Sequence, residues 1–263
     1  MKPLRIALVQ MNCEKAATGQ NLAAISQYLA EAREREMDFI CFPEMSISGY
    51  ADPTRYPQAI LRLDGAEVRD FLDRTRGNPA VVLAGLIEEN PGKKPFITQI
   101  AAQNGELLGF YRKTNIIDEE ALWFSAGDRV PVFQLGALTC GIAICADISK
   151  EEVYAGAARQ GAQIVFELAA PGLYGEQATR NWQSGFEWWQ SECQKYLSYY
   201  AEKYDLWIAV ATQAGRTIDE DFPGGGYVFA PGGECLFTTP DGSAGAVYLN
   251  IDFEHRRVTP VAG

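Results

Sequence analysis

An α/β fold is predicted for this 263-residue chain by three patterns. Short apolar runs bounded by turn residues alternate with helical periodicity in the first half, Asn104-Gly105 joins two extended segments as a hairpin, and from Trp207 onward the chain is mostly strand. Taken in order, Arg5-Ile6-Ala7-Leu8-Val9-Gln10-Met11 enters a strand at once. Over residues 21–36, Leu22, Ile25 and Leu29 recur at helical spacing beside Glu31, Arg33 and Arg35, so one face of that helix packs on a sheet. Residues 38–42 form a buried strand that ends, past Pro43, in the carboxylate of Glu44, and Ser46, Gly49, Tyr50 and Asp52-Pro53 mark the loop beyond it. A second helix covers 66–76, ahead of the strand 80–87. The hairpin strands are 96–103 and 106–113, the second ending in the cation of Lys113. After the strand 163–169 and a helix, Gly232-Gly233 and Asp241-Gly242 turn the closing strands.

The most informative segment is Gly141-Ile142-Ala143-Ile144-Cys145-Ala146-Asp147-Ile148-Ser149, an apolar strand that stops at a thiol, a small residue and a carboxylate. Ser149 with Glu152 reads as a capping box that starts a helix, and Gly161 ends it. Cys145 therefore sits at a strand-to-helix turn, where backbone N–H groups and the positive helix end favour thiolate and can receive an oxyanion. An imidazole base is not at hand: the single histidine, His255, lies in the charged run Asp252-Phe253-Glu254-His255-Arg256-Arg257, a solvated strand end. The six cysteines contain no CxxC pair, and with one histidine a zinc site is disfavoured. Strands ending in Glu44, Lys113 and Cys145 can converge at one sheet edge, where α/β folds place their sites.

In these motifs and their order the sequence resembles the nitrilase, or carbon–nitrogen hydrolase, superfamily: the opening strand, Phe42-Pro43-Glu44, Tyr111-Arg112-Lys113, Cys145-Ala146-Asp147, and later Gly161-Ala162, Ala214-Gly215 and Tyr227-Val228-Phe229-Ala230-Pro231-Gly232-Gly233. The resemblance covers nearly the whole chain. It implies a four-layer α-β-β-α sandwich, one carbon–nitrogen hydrolase domain over residues 1–263, Glu44 as general base, Lys113 as stabiliser of the tetrahedral intermediate and Cys145 as nucleophile. It also implies a second glutamate, for which Glu120, four residues before Phe124, fits better than Asp118 or Glu119. A homodimer or larger homo-oligomer, formed through the face bearing the nucleophile helix, is implied as well. Ala146 and Asn115 stand where many members carry an aromatic or polar residue and a histidine, and no arginine follows Asp147. The first two positions border the substrate and bear on the subfamily, and the missing arginine argues against those carbamoylases and carboxylate-binding amidases that place one near this turn.

The chemistry of this set is coherent on its own. Glu44 and Cys145 compete to be ionised, and Lys113 between them lowers the cost of negative charge on either. The expected reaction is hydrolysis of a small amide to acid and ammonia or amine through a thioester, with Lys113 and the N–H of Ala146 meeting the oxyanion. Asp147 ties the turn to backbone donors. Hydrolysis of an N-carbamoyl amine or amino acid is the runner-up, a nitrilase reaction a further alternative, and a non-catalytic scaffold of the same fold the reading from a different class. No metal, nucleotide or organic cofactor is required.

Selectivity is expected from the aromatic-rich segment 173–204. Tyr174 and Trp182, in or beside the loop 172–183, can wall a pocket with Tyr50 and Trp123, whereas Trp189, Tyr196 and Tyr200 fall at core or interface spacing. Glu167, a carboxylate inside an apolar strand, reads either as a buried hydrogen-bond acceptor or as a receiver of a substrate amine. The net charge of −11 argues against nucleic-acid binding and favours a neutral or cationic small-molecule substrate. No signal-like segment or membrane-length apolar stretch is visible, which with free cysteines predicts a cytoplasmic protein that does not engage membranes and sets aside the family's lipoprotein acyltransferases. With no appended domain in view, its glutamine-dependent NAD synthetases are set aside too.

Overall fold

The computed structural model describes residues 2–135 and 138–261. Its first large sheet runs, edge to edge, Arg257–Pro260, Gly245–Asp252, Leu4–Gln10, Phe39–Cys41, Val81–Glu88, Phe96–Gln103 and Glu106–Arg112, with Ile60–Leu61 beside Val81–Glu88. The second runs Cys235–Thr238, Gly226–Phe229, Trp207–Thr212, Ile164–Ala169, Leu138–Ile144 and Val132–Leu135. Central strands are parallel in both, and antiparallel partners flank them.

The two-residue period of a strand decides which layers meet. Ile6, Leu8, Phe39, Cys41, Val81 and Leu83 face the other sheet and pack with Ile142, Ile144, Phe166 and Leu168. Their chain neighbours Ala7, Val9, Ile40 and Val82 lie beneath the helices Thr18–Glu34 and Ala66–Arg74, against Leu22, Ile25, Val68 and Phe71. Ala143, Val165, Ile208 and Val210 do the same beneath Glu151–Arg159 and Trp182–Tyr204. The result is the α-β-β-α sandwich. Truncating a side chain between the sheets, such as Phe166→Ala, would cost about 3–5 kcal/mol.

Boundaries differ from the sequence expectation where side chains tie loops to elements. The first helix starts at Thr18, because buried Asn21 bridges Glu14 and Ile47: its Nδ2 donates to both carbonyls, and its Oδ1 accepts from Glu14 N. The hairpin has Asn104 and Gly105 both at positive φ, as a tight two-residue turn requires. The Ser149/Glu152 capping box does not form. A 3₁₀ turn, Cys145–Ser149, lies between strand and helix, Lys150 occupies the cap position, and the Ser149 hydroxyl donates to the Ala146 carbonyl at 3.0 Å. No helix among the described residues is long and apolar enough to cross a membrane.

Candidate active site

Glu44 follows the strand Phe39–Cys41 in a turn stitched along the neighbouring strand. The hydroxyls of Ser46 and Ser48 accept from Gly85 N and Ile87 N at 3.0 Å, and Ile47 N donates to the Gly85 carbonyl at 2.8 Å. Gly85 explains the close approach: a Cβ there would lie 2.3 Å from Met45 N and 2.5 Å from Gln99 Oε1. Met45 itself adopts φ 49°, and Cys145 adopts φ 45° in the facing turn. Non-glycine residues in this region cost about 1 kcal/mol or more and concentrate where a side chain must be aimed.

At the turn that begins with Cys145, Asp147 is the organising group. Its Oδ2 accepts from Ile144 N at 2.9 Å and from the Tyr111 hydroxyl at 2.7 Å, and its Oδ1 accepts from Asn115 N at 2.9 Å. Asn115 Nδ2 donates to the Ala146 carbonyl at 2.6 Å, and Lys150 Nζ to the Thr114 carbonyl at 3.0 Å. These bonds join the Cys145 turn to residues 111–115, so the position of the thiol is coupled to that of Lys113. Cys145 remains partly exposed, whereas Cys13, Cys41, Cys140 and Cys193 are buried.

Lys113 Nζ donates to Glu44 Oε1 at 2.9 Å and to Glu120 Oε1 and Oε2 at 2.8 and 2.9 Å. Lys113 and Glu44 have no exposed side-chain surface. Glu44 Oε2 accepts from Ala170 N at 3.1 Å, and the Tyr50 hydroxyl donates to Glu120 Oε1 at 2.8 Å. Burial pushes the Glu44 carboxyl up to about 7 and Glu120 adds to it, against the opposing pull of Lys113 and of a hydrogen bond from the Cys145 thiol. Burial, then the charge of Glu44, drives the Cys145 thiol well above its ordinary range while Lys113 opposes them. Burial alone would lower Lys113, but Glu44, Glu120 and Cys145 together hold it well above the usual lysine range. A fixed ammonium beside a thiol and a carboxyl poised near neutrality can combine proton transfer, nucleophilic attack and oxyanion stabilisation.

The structure thus brings Glu44, Lys113, Glu120, Tyr50 and Cys145 together. Of the three consecutive acids, Glu120 is buried while Asp118 and Glu119 are exposed. Ala146 is buried in the nucleophile turn, and half-buried Trp123 ends the short helix Glu120–Trp123 against the inter-sheet core. Tyr174 and Trp182 lie apart from this cluster, in two different clefts whose walls include none of its side chains. Tyr174 is 87% exposed beside Arg180, Ser184 and Trp188, and Trp182 faces Phe186, Pro223 and Asp241. Trp182 opens the helix Trp182–Tyr204 and does not wall a pocket with Tyr174. Glu167 is fully buried and accepts from the Tyr154 hydroxyl at 2.6 Å, on the helix-facing side of its strand, which departs from a pocket position open to a substrate amine. His255 is exposed and bonded to Asp252. Among the described residues there is no cluster of metal-ligating side chains. The Ala170 amide was missed because a backbone donor carries no mark in sequence. Gly85 did carry one, as a glycine inside an apolar strand.

The family model described as "Carbon-nitrogen hydrolase" matches residues 5–260. A glutamine-dependent NAD(+) synthetase from Thermotoga maritima is 26% identical over 244 residues, 90% of this chain and 40% of that protein. The (R)-stereoselective amidase of a Pseudomonas species is 28% identical over 162 residues, 62% of this chain and 58% of that one. The chain spans less than half the length of the NAD(+) synthetases it matches, 40% and 46% for two of them. An amidase from Nesterenkonia superposes with a TM-score of 0.82 at 23% identity, covering 97% of this chain and 94% of that chain. In one mutant form of that amidase the acetamide moiety of fluoroacetamide is covalently added at the active-site cysteine.

Proposed function

The chain belongs to the carbon–nitrogen hydrolase family, and from that premise we propose that it hydrolyses a small amide to a carboxylic acid and ammonia or an amine, with Cys145 as the nucleophile. The observation that carries this reading is Lys113 Nζ, held between Glu44 and Glu120 beside Cys145, the partly exposed residue at the start of the facing turn. Glu44 accepts the Cys145 proton as sulfur attacks the carbonyl carbon. The oxyanion forms against Lys113 Nζ and a backbone N–H of the nucleophile turn, that of Ala146. As the tetrahedral species collapses, the C–N bond breaks and the proton on Glu44 passes to the departing nitrogen, leaving a thioester. Water, deprotonated by Glu44, then attacks the thioester. Collapse expels the Cys145 sulfur, which regains its proton, and the acid leaves.

Glu120 keeps Lys113 aimed, and Tyr50 keeps Glu120 in place. A base that titrates near 7 suits both halves of the cycle. The adduct on the cysteine of the Nesterenkonia amidase supports the same role for Cys145. Assembly as a homo-oligomer through the helical layer carrying exposed Trp188 and Tyr199, and residence in the cytoplasm, belong to this reading. A second reading, hydrolysis of the side-chain amide of glutamine, is favoured by the likeness to glutamine-dependent NAD(+) synthetases over 90% of the chain. The test is ammonia release from a panel of aliphatic primary amides, glutamine, N-carbamoyl compounds and nitriles. Turnover of simple amides supports the first reading, turnover of glutamine alone the second, and turnover confined to carbamoyl compounds or nitriles overturns both.

A further inference from the structure

Behind the nucleophile turn lies a carboxyl group that the steps above leave unused. Glu167 belongs to the strand Ile164–Ala169, paired in parallel with the nucleophile strand so that it stands opposite Ala143, two residues before Cys145. Ile164, Phe166 and Leu168 point between the sheets, so Glu167 points with Val165 and Ala169 to the helical layer. It has no exposed surface, its Oε2 accepts from the Tyr154 hydroxyl at 2.6 Å, and its Oε1 is buried without a hydrogen-bond partner.

We propose that Glu167 is a positioning residue held as an uncharged acid, whose neutrality keeps the rear of the Cys145 turn free of a competing anion while thiolate and oxyanion form in front. An ionised carboxylate is acceptor-only on both oxygens, and one left unpaired in an apolar interior is expensive. A neutral acid, with Oε2 as the carbonyl that accepts from Tyr154 and the proton on Oε1, leaves one O–H unpaired but buries no charge, and is far less so. The titratable groups that face it come from every packed element. They are Tyr154 on Glu151–Arg159, Asp147 and Cys145 on the nucleophile turn, Glu44 and Lys113 at the catalytic cluster, and Cys193 on Trp182–Tyr204. The flanking strands place uncharged Ala143 and Val210 beside it. Burial raises Glu167 well above the carboxylate range and Asp147 and Glu44 add to this, while Tyr154 and Lys113 pull the other way. The only cation in this set, Lys113, is already engaged by Glu44 and Glu120. A negative charge on Glu167 would therefore act on Cys145 in the direction that suppresses thiolate. Tyr154, stacked on Tyr200 with ring centroids 4.5 Å apart, couples this acid to the packing of the two helices over the nucleophile.

The kinetic consequence rests on the amide-hydrolase reading, but the charge state does not. Infrared difference spectra of the substrate-free protein at neutral pH, wild type minus Glu167→Gln, should contain the C=O stretch of a protonated carboxyl. Tyr154→Phe should move that band to higher frequency, which assigns it even if the glutamine variant does not fold. In the pH profile of kcat/KM, Glu167→Gln should carry the alkaline limb upward, approaching about tenfold higher activity than wild type one pH unit beyond the original limb. Absence of the protonated band from the wild type, with Tyr154→Phe leaving that region unchanged, would overturn the proposal. A band that is present together with superimposable pH profiles would overturn its link to the nucleophile.

Discussion

Lys113 is locked to Glu44, 69 residues away, and to Glu120, seven residues on, and the three expose almost no surface, whereas the segment 173–181, at the rim of a separate cleft, hangs largely on one buried carboxylate and leaves Tyr174 87% exposed. That carboxylate is Asp221, ion-paired to Arg180 Nε at 2.7 Å, bonded by Arg216 Nε at 2.9 Å and Gln177 Nε2 at 3.0 Å, while its own carbonyl accepts from Leu173 N at 2.9 Å. The chemistry is built where displacement is costly, and the surroundings of Tyr174 where it is cheap. Substitutions in the cluster should therefore act on kcat and on stability, and substitutions in the rim only weakly on KM and not on kcat.

The largest effect should come from Cys145→Ala, which removes the bond-forming atom and should lower turnover by about 10⁴-fold or more with folding intact; circular dichroism and ammonia release check both. Next is Lys113→Met. It removes the proposed oxyanion donor, for a loss of about 10²–10³-fold in kcat, and leaves two buried acids without their cation, so unfolding should be easier by about 3–5 kcal/mol in denaturant titration. In the proposed mechanism ionised Glu44 is the base, and its carboxyl is pushed up to about 7, so activity should rise with pH through that value and fall about tenfold per unit well below it. A flat profile from pH 5 to about 8 would contradict the assignment of Glu44. Tyr50→Phe deletes one hydrogen bond to Glu120 and should lower kcat by about tenfold, with KM little changed. Tyr174→Ala should change KM by about threefold or less and leave kcat alone. A kcat loss there as large as that of Lys113→Met would erase the distinction between cluster and rim.

The same contrast marks what could be read in the sequence. Glu44, Lys113 and Cys145 could be singled out because each ends or follows an apolar strand and the three stand in the order of a known family; alone, each charge reads as well as a solvated strand end and the thiol as a buried structural cysteine, while the layers followed from period-two and period-3.6 patterns. The bonds that fix them were less so. The Ser149/Glu152 pair has the spacing of a capping box, but a 3₁₀ turn intervenes and the serine hydroxyl turns back to Ala146. The Tyr174 and Trp182 rings were expected near the thiol because their loop follows the adjacent strand, yet the direction a loop takes is set by partners such as Asp221, 47 residues beyond Tyr174 and invisible to local pattern. For Glu167 the signal was present: Ile164, Phe166 and Leu168 alternate toward the sheet interface, which sends the acid between them to the helices.

The central claim is that Cys145 carries the acyl group during turnover. Rapid quenching of the protein with its best primary amide, followed by intact and peptide mass, should show a transient adduct of the acyl mass on Cys145 that decays as acid appears and is absent from Cys145→Ala. Hydrolysis that proceeds with Cys145 unmodified at every time point, or that survives in Cys145→Ala, would contradict it.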